Sequence, residues 1–142
     1  MKRINVLGAG VLGLVIAMAG CGNRQSPRLV NWYGTYAVDE EMQLKVTTLG
    51  MSQIQYELRH RPSDRVIVKS SGSSFQGWFF VWDEAGRLWG YWNDLGTVVW
   101  VPDGTTGQLK RHTLYRGSPL LKQVPSEVAA NMPDWAKRSL GI

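Results

Sequence analysis

The chain has 142 residues, a formal net charge of +5, one cysteine and seven tryptophans. That length suits one domain with a real core, and 44% hydrophobic with 19% charged residues excludes a disordered polar chain. A single Cys excludes an internal disulfide framework and any zinc site with two Cys ligands.

The first residues read as an address. Lys2 and Arg3 precede Val6 to Ala19, fourteen residues without a charge, and then Gly20 and Cys21. A basic start, a short apolar run and small residues before a break form a secretory signal. The run is shorter than the roughly 20 residues a membrane-crossing helix needs. Ala19-Gly20-Cys21, with Met18 where Leu is commoner, resembles the lipobox of bacterial lipoprotein precursors. The resemblance covers residues 1–22. It implies cleavage before Cys21, a diacylglyceryl thioether on its sulfur, and attachment to a membrane. Gly22 stands where Asp marks inner-membrane retention in diderm lipoproteins, so the resemblance implies an outer-membrane lipoprotein facing the periplasm in such a host. Removal of residues 1–20 leaves 122 residues and takes Lys2 and Arg3, so the net charge falls to +3. No basic run exceeds two residues. Export and the missing motifs both argue against a nucleic-acid partner.

Residues 21–31 read as a lipidated start and polar tether, and 32–142 as one β-rich domain. Strand patterns follow at turn-punctuated spacing. Trp32–Val38 is aromatic-rich, and Met42–Thr48 alternates. Gln53–His60 alternates more cleanly, with Ile54, Tyr56 and Leu58 facing one way. Arg65–Lys69, Gly77–Trp82, Arg87–Trp92, Thr97–Val101 and Leu109–Tyr115 complete about eight strands. Pro62-Ser63-Asp64, Asp83–Gly86, Asn93–Gly96 and Pro102-Asp103-Gly104 offer turn chemistry between them. Ser70–Ser74 reads as a flexible connection. The expected fold is mainly β: an antiparallel meander, barrel-like or nearly closed, with a short C-terminal helix. Trp32-Tyr33-Gly34 faintly resembles the first strand of lipocalin-like barrels. The tail predicts helix over Ser126–Asn131 and again over Asp134–Leu140, with Val128, Met132, Trp135 and Leu140 available for packing.

Five of the seven tryptophans fall between Trp78 and Trp100. A four-residue loop at Asp83–Gly86 sets Trp82 opposite Arg87 and Phe80 opposite Trp89. The same loop length at Asn93–Gly96 sets Tyr91 opposite Val98 and Trp89 opposite Trp100. One face then carries Trp78, Trp82, Arg87, Trp89, Tyr91 and Trp100. Two readings stand for it: a closed core capped by the tail with Trp135, or an open surface for an envelope glycan, peptide or protein. Catalytic signals are sparse. His60 and His112 lie far apart beside arginines, no metal-ligand spacing appears, and Asp39-Glu40-Glu41 fits a solvated turn. The sequence thus predicts a non-enzymatic binding module with no catalytic residues, cofactor or metal. The rivals are an envelope-glycan enzyme, which needs Arg87, Glu84 or His112 to meet an acid in a pocket, and a structural spacer.

Overall fold

A computed structural model describes residues 28–50, 53–70, 73–74, 77–106 and 108–142. The clean alternation at 53–60 becomes β4 (Gln53–His60), with Ile54, Tyr56 and Leu58 buried and Gln55, Glu57 and Arg59 on the other face. β4 pairs with β3 (Met42–Leu49), which pairs with β2 (Gly34–Ala37) on its far side. β5 (Arg65–Lys69) and the two-residue β6 (Ser73–Ser74) complete this polar sheet against the other edge of β4. The Ser-rich segment expected to be a flexible connection thus contributes a short strand.

The second sheet runs β1-β7-β8-β9-β10, from β1 (Arg28–Val30) through β7 (Trp78–Trp82), β8 (Leu88–Trp92) and β9 (Gly96–Pro102) to β10 (Leu109–Thr113). Every pairing is antiparallel. Two sheets therefore replace the single, nearly closed meander, and the described strands do not close into a barrel. β1 falls inside the segment read as tether. Val30 is buried opposite Phe80, so the folded part begins before residue 32.

A third layer comes from the tail. Pro119–Gln123 makes a short 3-10 turn, followed by α1 (Ser126–Asn131) and α2 (Asp134–Leu140), both at the predicted positions. Gly141 closes α2 in the left-handed conformation at φ 82°, with Lys137 and Arg138 in the last turn. The side chains there suit the helix dipole, and glycine suits the cap. Val128, Met132, Ala136 and Leu140 pack on the tryptophan-rich sheet. Trp135 does not: it is half exposed, and Ala136 takes the buried position. On a two-turn helix the inward stripe is narrow, and neighbouring positions 135 and 136 cannot share it.

The central sheet is thus covered on both faces, which explains its apolar residues on both sides. One core joins Leu44, Val46, Ile54, Tyr56 and Leu58 to Phe80, Leu88, Trp92, Val98 and Trp100. The other joins Phe79, Val81, Trp89, Tyr91 and Val99 to the tail.

The hairpin registers differ from the sequence reading. Trp82 lies opposite Leu88, not Arg87, and Val81 opposite Trp89. Tyr91 lies opposite Thr97, and Leu88 rather than Trp89 opposite Trp100. The first loop is one residue longer than expected and the second one residue shorter. The two slips add to a two-residue shift between β7 and β9, an even number that keeps their faces, so only β8 is turned over. Gly86, at φ 74°, and Gly96, at φ 76°, supply the left-handed positions of these loops.

Turning β8 over places Gly90 in the intersheet core between Phe80 and Val98. The Trp92 indole occupies the space a side chain would take. A Cβ on Gly90 would lie 2.6 Å from Trp92 Cη2 and 3.1 Å from Trp100 Cζ3. Gly90→Ala is therefore expected to cost about 1–3 kcal/mol through overpacking, read as a lower urea midpoint.

Candidate functional site

The six residues singled out as a candidate surface do not form one. Trp89, Tyr91 and Trp100 are buried, at 0%, 2% and 1% exposure, and Trp78 and Trp82 are half-buried. Trp89 and Tyr91 face the tail, while Trp100 faces the polar sheet. The open aromatic platform is therefore replaced by two closed cores on opposite faces of β8. The physical reason is the combined register slip and the two covering layers, neither of which a single strand pattern encodes. Cys21 lies outside the described residues.

Trp92 and Trp100 meet edge to face at 6.2 Å, and Tyr56 sits within 5.6 Å of Phe80, Trp92 and Trp100. Such tilted contacts suit the ring quadrupoles. Burial pushes the Tyr56 phenol up to about 12, against the opposing pull of the Arg111 cation. Tyr91 is also raised by burial. In the unfolded chain Tyr56 loses its proton near the ordinary value of about 10. The unfolded state therefore ionises first. The stability tied to the neutral phenol is complete below about pH 10 and is lost as pH rises towards 12. Tyr56→Phe should flatten, without abolishing, the fall in denaturant midpoint across that window.

Arg87 sits in the β7–β8 loop as part of a clamp. The Asp83 carboxylate, 6% exposed, accepts from the Arg87 Nε at 2.6 Å and the Trp89 indole N–H at 2.8 Å. It also accepts from the backbone N–H groups of Ala85 and Arg87, at 2.9 and 3.0 Å. The Arg87 guanidinium lies 5.4 Å from the Trp89 ring centroid and donates to the Gln123 side chain of the tail. This network draws Arg87 into the loop and makes it one residue longer than the turn residues alone predict.

Among the described residues, Arg87, Glu84 and His112 do not meet an acid in a shared pocket. Arg87 does meet an acid, but inside a closed loop. Glu84 is exposed at the turn, and His112 is half-buried on β10 opposite Val99. Among the described residues, no group of three or more His, Cys, Asp and Glu side chains is arranged to hold a metal.

Two arrangements escaped the sequence reading. His60 bridges Ser63 Oγ at 2.7 Å and Glu41 at 2.8 Å, one contact on each ring nitrogen. A hydroxyl, an imidazole and a carboxylate thus stand in line. Glu41 is 69% exposed, and Arg61 adds backbone and side-chain bonds to Glu41 and Asp39. Together these contacts stitch the 38–41 turn to the 61–64 turn. The His60-x-x-Ser63 spacing across a tight turn was the available signal. On the outer face of β4, Arg59 holds the Glu57 carboxyl below its ordinary range by hydrogen bonding, with Lys69 adding to it.

The second arrangement is a shallow groove of about 400 Å³ beside the β2 edge of the polar sheet. Tyr33, Gly34, Thr35, Lys45 and Thr47 line it. An aromatic ring, hydroxyls and one ammonium group form a surface suited to hydrogen-bonding polyols or amides. Its residues are spread over β2, β3 and the segment before them, so no local motif announced it. No known protein family, curated protein or solved structure matches the chain.

Proposed function

We propose that the chain is a membrane-anchored envelope lipoprotein whose exported β-domain serves as a non-enzymatic interaction module. The observation that carries this reading is the leader: Lys2 and Arg3, fourteen uncharged residues, then Ala19-Gly20-Cys21 with the sole cysteine of the chain. Only six residues, 22–27, separate Cys21 from the first strand. Such a spacing suits a folded body held close to a bilayer. Gly22 supports the outer membrane of a diderm host, facing the periplasm.

The contact surface in this reading is the Tyr33–Lys45 groove rather than the tryptophan hairpins, which are consumed as core. Envelope glycans and extended peptides both carry the hydroxyl or amide groups that such a lining takes.

The test is Cys21→Ser. The variant is expected to persist as uncleaved precursor or to leave the acylated pool, seen by mass spectrometry of membrane fractions. Normal processing and normal retention of this variant would overturn the lipoprotein reading.

A further inference from the structure

Four of the exposed large apolar side chains lie at one end of the sandwich, three on connections and one on the last residue of β3: Trp32 at 70% exposure, Tyr115 at 65%, Leu95 at 51% and Leu49 at 43%. The registers bring them there. Val30 is opposite Phe80, so Trp32 emerges beside Trp78, and Trp78 is opposite Trp92, which leads into the turn bearing Leu95. The Leu114 N–H donates to the Thr97 carbonyl at 2.9 Å, which delivers Tyr115 next to Gly96. In the polar sheet, Val46 is opposite Gly34, and Leu49 lies three residues further towards the same end. Trp32 is held in place: the Tyr36 hydroxyl donates to its carbonyl at 2.9 Å, and its ring lies 5.3 Å from that of Tyr33.

The opposite end is different in kind. Its turns, at 38–41, 61–64, 83–87 and 103–106, all carry carboxylates, and Arg61 and Arg87 add cations to the second and third. Seating that end on a bilayer would strip water from all of these groups, whereas the apolar end carries, among the described residues of its connections, only Asp94 and Arg116 as charges beside its aromatic and aliphatic tips. Trp and Tyr are the side chains that favour the headgroup boundary.

We propose that the Trp32–Leu95–Tyr115 end docks on the lipid surface to which Cys21 is anchored. This inference rests on the lipoprotein reading. The length of the leading chain supplies the occupant. Seven residues from Cys21 to Arg28 span at most about 25 Å, and Trp32 lies about 13 Å along the chain beyond Arg28. The chain enters β1 at the charged end, yet its contour is long enough to run back beside the sandwich and let the apolar tips reach the bilayer. The charged end, with the His60 and Arg87 networks, then points away from the membrane.

The lone cysteine makes the test clean, because acylation leaves no free thiol in the native chain. The full lipidated protein carrying Leu95→Cys, Tyr115→Cys or Glu84→Cys is labelled with an environment-sensitive fluorophore. It is then placed in phosphatidylethanolamine–phosphatidylglycerol vesicles. Labels at 95 and 115 are expected to shift to the blue and to be quenched by spin-labelled acyl chains, while the label at 84 stays aqueous. An aqueous label at both 95 and 115, or a lipid-quenched label at 84, overturns the docking while leaving an acylated Cys21 intact. A free Cys21 thiol, seen by mass spectrometry of the same preparation, overturns the anchoring reading and the docking with it.

Discussion

Trp100→Ala is expected to remove about 3–5 kcal/mol of stability, a large share of the roughly 5–15 kcal/mol that holds a domain of this kind. Trp100 is 1% exposed and touches Trp92 and Tyr56, so truncation leaves a cavity between two sheets that both have to collapse to fill it. Trp89→Ala should cost as much from the opposite face of the same sheet, where the tail would lose its main aromatic support. Trp82→Ala should cost less, because Trp82 is only half-buried. Urea midpoints of the three variants check the ordering. A Trp100→Ala variant with native stability would reopen the reading of this region as a ligand surface.

Asp83→Ala is expected to cost about 3–5 kcal/mol, the range for removing one partner of a buried pair. Four donors converge on this carboxylate: two backbone N–H groups, the Arg87 guanidinium and the Trp89 indole. Deleting it strands a cation that is 16% exposed and leaves the indole N–H without an acceptor. Asp83→Asn keeps an oxygen for the backbone bonds but gives up the charge, so its loss should be intermediate. Arg87→Lys keeps a cation and loses the planar fork that reaches both Asp83 and Gln123. It should loosen the tail preferentially, seen as faster amide exchange in α1 and α2. Equal stability of Asp83→Ala and the native chain would show that the loop does not depend on its carboxylate.

The loop also shows why the registers were not legible. Asp83-Glu84-Ala85-Gly86 reads correctly as a turn, and Gly86 does take the left-handed position. What places Arg87 inside the loop is the carboxylate's reach to Trp89 and the arginine's reach to Gln123, thirty-six residues away. A local window contains neither fact. A one-residue difference then moves every side chain of β8 to the other face. The groove at Tyr33, Thr35 and Lys45 was hidden for a related reason, since the β2–β3 pairing assembles it.

The sequence by itself determined the β4 and β5 boundaries, both C-terminal helices and the two-sided apolar character of the central strands. These follow from side-chain period, turn residues and helix caps, which act over a few residues. Only the tertiary structure decided that there are two sheets, that β8 is turned over, and that Trp89, Tyr91 and Trp100 are core. Those outcomes depend on loop length, cross-strand register and the layer that covers each face. Each is a contest between distant parts of the chain for the same buried volume.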